Sequence, residues 1–312
     1  MVNSSDQFSP AVSTSNVAES RADLATSRPS GGRVAAVAAA IALILVGVGV
    51  WRFFASDIGS GRHGTLSGSG AMSEAEASRH HPLWPVLQFA EQVQKNIEAN
   101  VRDYTATMIK QERINGKLAP EEVCFVKIRN SPLSVYMNFL APPDQKGTEA
   151  IYVEGANDGK LVGHAGTFPK SLAGSLWLPP TGVLAMQNQH YPITEMGVAN
   201  LARRLIQVGE LDIHYGECYV WRNENALVGD RPCISITVLH PFKRRGFLFH
   251  VARIFVDKEL MVPVHFEAYD WPEKPGDPLP LLERYTYTDI KMNPGLTDAD
   301  FDPKNSEYHF GL

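Results

Sequence analysis

Residues 134–155 read SVYMNFLAPPDQKGTEAIYVEG, and their pattern decides the fold class. Val135, Met137 and Phe139 alternate with Ser134, Tyr136 and Asn138, the two-residue period of a β-strand. Pro142-Pro143 and Gly147 break the run. Glu149, Ile151 and Val153 then alternate with Ala150, Tyr152 and Glu154 in a second strand. Apolar groups fall on both faces, whereas a sheet wet on one side shows a cleaner contrast. Each face of this pair therefore needs a cover.

Further alternating segments lie on either side. Strands are expected at 103–114, 121–130, 133–141, 148–154 and 160–166, punctuated by Gly116, Pro120 and Pro132. A second set is expected at 217–228, 232–240, 248–257, 262–271 and 281–291, with turn signals at Gly229-Asp230 and Asp257-Lys258. Leu83, Val86, Leu87, Ala90, Val93 and Ile97 recur at helical spacing, which predicts a helix over 84–100. Thr194 reads as the N-cap of a second helix, with Val198, Leu201, Ala202 and Leu205 as its stripe and Gly209 as its stop. Residues 168–193 read as a loop carrying the apolar run Ser175–Pro180. Neither helix can bury its stripe alone. The fold class is α+β: one strongly curved antiparallel sheet of about ten strands with the helices in its concave face.

The N-terminal quarter differs. Residues 1–32 are rich in Ser and Ala without apolar periodicity, the composition of a disordered tail. Residues 34–51, VAAVAAAIALILVGVGVW, carry no charge and are bracketed by Arg33 and Arg52. As a helix they rise about 27 Å, close to the apolar thickness of a bilayer. A secretory signal peptide has a shorter apolar run, so 33–54 reads as an uncleaved transmembrane signal anchor. Arg21, Arg28 and Arg33 outnumber Arg52 and Arg62, which points the N-terminus to the cytoplasm. The expected location is the inner (cytoplasmic) membrane, single-pass, with an extracytoplasmic, periplasmic C-terminal domain. Residues 55–82 read as a Gly/Ser-rich flexible tether and 83–312 as the folded domain.

Composition narrows the function classes. At 44% apolar and 20% charged the chain is ordinary for a globular protein, and its formal net charge of −5 gives no basic field for nucleic acid. Three cysteines, Cys124, Cys218 and Cys233, are too few for a disulfide scaffold or a four-cysteine zinc site. Cys218 and Cys233 sit on neighbouring strands of one hairpin; a turn near 225–226 lets them pair, and a turn at Gly229-Asp230 separates them. Gly59, Gly61 and Gly64 spell GxGxxG, but inside the tether, without the strand and helix a dinucleotide site needs. His63, His80 and His81 adjoin that tether and lack a converging third ligand. Glu149 and Glu154 go to opposite faces of a strand, and Glu112, Glu121 and Glu122 read as surface charge near turns. Lys243-Arg244-Arg245 reads as a solvated turn, or as a contact for anionic head groups. No catalytic motif, cofactor motif or metal set emerges.

Several stretches carry a resemblance. FLAPPDQKGTEAIYV, following a strand that ends SVYMNF, is similar to the signature of the LolA-like superfamily of lipoprotein carriers. YTATMIKQERINGKL, the YPIT of 191–194 and the closing LTDADFDPKNSEYHF resemble a bacterial domain-of-unknown-function family whose members are often membrane-anchored. The match covers roughly 84–312 and implies fold and setting, without chemistry. The LolA-like resemblance implies an unclosed β-barrel whose apolar hollow, lidded by helices, holds acyl chains. Met137, Phe139, Ile151, Val153, Leu176, Trp177 and Leu178 are the expected lining of such a hollow. The expected function is a membrane-tethered binding domain for a lipid or lipoprotein acyl chain. The alternatives are a non-catalytic envelope sensor or scaffold that docks a protein, and an enzyme without a recognisable motif.

Overall fold

A computed structural model describes residues 79–312. The expectations for the tail, the apolar span and the tether as far as residue 78 lie outside the described residues. Among the described residues no helix is long and apolar enough to cross a membrane.

The domain opens with α1, Trp84–Asn100, which buries Leu87, Phe89, Val93 and Ile97. Twelve strands follow in one sheet: β1 Asp103–Ile114, β2 Lys117–Leu118, β3 Glu122–Asn130, β4 Leu133–Ala141, β5 Glu149–Val153, β6 Leu161–His164, β7 Ser175–Leu178, β8 Tyr219–Val228, β9 Arg231–Leu239, β10 Val251–Asp257, β11 Pro263–Tyr269 and β12 Leu281–Met292. The spatial order is β7-β6-β5-β4-β3-β1-β12-β11-β10-β9-β8, with β2 paired to β1, and every ladder is antiparallel. The sheet is unclosed, with β7 and β8 at its two ends. The chain must cross the whole sheet between those ends. That crossing carries α2, Val198–Tyr215, which is why its apolar stripe meets the same face as α1.

The two-faced hairpin finds both its covers. The register pairs Tyr136 with Ile151 and Met137 with Ala150. Val135 and Met137 therefore join the helix-packed core with Tyr104, Met108, Val126 and Ile128. Tyr136, Ile151 and Val162 point the other way, under Phe301 and Phe310 of the C-terminal tail. Tyr308 stacks on Tyr136 at 4.1 Å, and Lys127 and Arg129 hold Asp300 and Asp298 at 2.8 and 2.7 Å. Glu149 is buried under this tail, accepting from the Tyr136 hydroxyl at 2.8 Å and the His309 amide at 2.7 Å.

Four local expectations are corrected. The strands number twelve, because β7 forms in the stretch read as loop and β2 in a turn. Residues Ile193–Glu195 make a separate 3-10 turn, and α2 starts only at Val198, after Gly197 at φ 103°. Gly209 does not stop α2, which continues to Tyr215 and ends at Gly216, φ 128°. A Cβ on Gly209 would lie 2.7 Å from Leu87 Cδ2, so the glycine serves close approach of α2 to α1. His81 is an anchor: its Nδ1 accepts from the Leu83 amide at 3.2 Å and its Nε2 reaches the Gly216 carbonyl at 3.0 Å.

Candidate functional site

The helices do not fill the face they cover. An apolar slot remains between α1, α2 and strands β9–β11. Leu83, Leu87 and Val93 form its α1 wall. Ala202, Leu205 and Gly209 of α2 face them, and small residues here keep the space open. Ile236, Val238, Ala252 and Ile254 form the floor. Its cavity volume is about 70 Å³, so a long chain would require the helices to part.

Among the described residues one lining residue has a polar side chain, Asp212, 2% exposed. Its Oδ2 is 3.3 Å from Nε2 of His240, which is itself fully buried. The distance suits an ion pair, yet Nε2 makes no hydrogen bond of good geometry. The other nitrogen, Nδ1, lies 3.0 Å from the Phe249 carbonyl, and the ring stacks on Phe247 at 3.9 Å. Burial, then Asp212, pushes the nearby Cys218 thiol up to about 11, which leaves it un-ionised and inert at neutral pH.

A polar cluster occupies the far end of β1 on the helix-packed face. Lys110 meets Glu122 at 2.8 Å and Glu112 at 3.9 Å. Tyr285 donates to Glu112, and Tyr191 donates to Glu283 at 3.1 Å. His190 places Nδ1 3.1 Å from Glu283, Nε2 3.2 Å from the Arg113 carbonyl, and its amide 3.2 Å from Glu112. Burial disfavours the His190 imidazolium, but Glu283 and Glu112 outweigh it and raise its pKa. Glu112, His190 and Glu283 are the one described group whose ligating atoms, all within 4.8 Å of one another, could hold a metal ion. Each of those atoms already has a protein partner, so the cluster is a closed strap pinning the β7–α2 connection. Glu112 and Glu122, expected at the surface, are both buried.

The residues named from sequence as a hollow lining do not converge. Met137 and Phe139 belong to the helix-side core, away from the slot. Ile151 and Val153 are on the opposite face, because Ile151 pairs with Tyr136 across the hairpin. Leu176, Trp177 and Leu178 form edge strand β7 beside β6, with Leu176 and Trp177 exposed. Cys218 and Cys233 do not pair. The turn lies at Gly229-Asp230, Cys233 faces Ala226, and Cys218 precedes the Tyr219–Leu239 pair, about 20 Å along the ladder. Lys243 and Arg244 are tied to Asp270 and Glu217 at 3.2 and 2.7 Å.

Comparison with known proteins gives the following likenesses. An uncharacterized conserved protein from Thermus thermophilus is 12% identical, with 71% of this chain and 96% of that one covered, at a TM-score of 0.40. The Pseudomonas aeruginosa MucA/MucB complex gives 13%, 70%, 60% and 0.40 in the same order. The Mycobacterium tuberculosis lipoprotein LppX gives 11%, 70%, 99% and 0.38. At such identities and scores these likenesses carry nothing about ligand or partner. No curated protein matches the chain in sequence. Residues 101–310, two thirds of the chain, match the family described as protein of unknown function DUF1571, and the chain belongs to that family.

Proposed function

We propose that this chain is a membrane-tethered, extracytoplasmic binding domain that holds an acyl chain of a lipid or lipoprotein in the slot between α1, α2 and β9–β11. The observation that carries this reading is the slot itself: an open, almost wholly apolar lining inside the sheet's helix-covered face. The uncharged run 34–51 supports the tether, and the arginine bias around it supports a periplasmic location on the inner membrane. Binding needs no covalent chemistry. Each methylene taken from water contributes about 0.8 kcal/mol, so affinity should change about fourfold per carbon.

Mass spectrometry of lipid extracted from the purified full chain tests the reading. Wild type should carry a chain-bearing lipid, and Ala202→Phe or Val208→Phe, each filling the slot, should carry much less while keeping the same circular dichroism. No lipid in wild type, or equal amounts in both folded variants, overturns it.

A specific observation favours a second reading, a scaffold that docks another envelope protein. Phe168, Leu172, Val183 and Leu184 stand 79, 76, 70 and 63% exposed along the β6–α2 connection. Leu172→Asp with Leu184→Asp would remove such docking and leave bound lipid unchanged.

A further inference from the structure

We infer that the slot selects amphiphiles whose polar end donates hydrogen bonds, a hydroxyl or a protonated amine, and rejects those ending in a carboxylate or phosphate. The inference rests on the slot being a ligand site, and it names the chemistry of the ligand's polar end.

The argument starts from helix periodicity. Val198, Ala202, Gly209 and Asp212 are the buried positions of α2. Position 212 continues the apolar stripe, and an apolar side chain there would pack without cost. A carboxylate at such a position is expensive to bury unless its oxygens are satisfied. Ionised, it offers two oxygens and no donor. Its close polar neighbour is Nε2 of His240, at 3.3 Å and out of line for a hydrogen bond.

The histidine fixes what is missing. A carbonyl oxygen only accepts, so the 3.0 Å contact from Nδ1 to the Phe249 carbonyl puts a proton on Nδ1. In the neutral ring, Nε2 then carries a lone pair facing the Asp212 carboxylate, acceptor against acceptor. Even as imidazolium, His240 leaves acceptor sites of Asp212 unused. In either state no group among the described residues donates a well-formed hydrogen bond to the Asp212 carboxylate. An occupant that places an O–H or N–H beside Asp212 supplies one, while its chain lies along Leu205, Ala252 and Ile254. A carboxylate or phosphate there would add a second anion in apolar surroundings.

The test uses the full chain in lipid nanodiscs, with empty nanodiscs as background, and follows displacement of N-phenyl-1-naphthylamine. The probes are 1-octanol, octylammonium and octanoate, which share one chain length. The alcohol and the amine should each bind at least tenfold tighter than octanoate. Asp212→Asn, which keeps shape and loses charge, should bring octanoate within threefold of octanol. If Asp212→Asn does not fold, the wild-type ratio decides alone. Octanoate binding wild type as well as octanol overturns the selectivity and leaves the slot a ligand site. Failure of all three probes to displace the dye overturns the ligand site and this inference with it.

Discussion

Gly209→Ala should be the reverse of an ordinary glycine-to-alanine change. In a helix interior that substitution stabilises by about 1 kcal/mol. Here the new Cβ would lie 2.7 Å from Leu87 Cδ2, where carbon atoms rest at about 3.5–4.0 Å, an overlap of about 1 Å. Leu87 is 6% exposed and must yield. The atom that clashes is the tip of its side chain, and the slot lies beside it, so repacking falls at the low end of the overpacking range, about 1–2 kcal/mol. The propensity gain is cancelled or slightly exceeded. The net change should lie between zero and about 1 kcal/mol of destabilisation, and the displaced Leu87 should occupy ligand space. In a Leu87→Ala background the obstacle is gone, and Gly209→Ala should recover its gain of about 1 kcal/mol. Urea unfolding of the four proteins, followed by circular dichroism, measures the cycle. The expected coupling is about 1–2 kcal/mol with a change of sign. A gain of about 1 kcal/mol in both backgrounds would refute the contact between the helices on which the slot's shape depends.

Three further outcomes are expected. Phe310, 2% exposed where the C-terminal tail packs on the sheet, should cost about 3 kcal/mol on truncation to Ala, and amide exchange should quicken first in β4–β6; a change below about 0.5 kcal/mol would detach the tail from the fold. The His265 imidazole 3.7 Å away, with hydrogen bonds from Tyr269 and Arg253, lowers Glu267 from its ordinary 4.5 to about 2, so its contribution is fully present above about pH 4.5 and fades as pH falls towards 2. Glu267→Gln should therefore unfold earlier than wild type at pH 7 and match it near pH 2; a constant gap across that window contradicts the assignment. Without reductant, unfolded protein should expose three reactive thiols from Cys124, Cys218 and Cys233, and one thiol would mean that a pair had bridged.

Much of the fold was legible because side-chain alternation reports strands directly. Most strands between Asp103 and Met292 follow that alternation, and α1 follows its helical stripe. What failed was relative facing. Ile151 and Val153 alternate as visibly as Met137 and Phe139, but which pair shares a face depends on the register across the 142–148 corner. Edge strand β7 was hidden because Leu176, Trp177 and Leu178 are all apolar and Pro179 follows, a pattern that fits loop and strand alike. The buried Lys110–Glu112–Glu122 group had a usable signal: Lys110 and Glu112 share parity with Tyr104, Ala106 and Met108 and must face the same way. A helix stopped at Gly209 does not reach Asp212; one further turn places it on the buried stripe.

The central claim is tested most directly by photolabelling the full chain, in nanodiscs, with a lipid carrying a diazirine at the end of its acyl chain. Peptide mapping should place the label within 83–93, 202–212 and 236–256, the three walls of the slot. Label confined to 168–184, or spread over the surface without preference, would contradict the account.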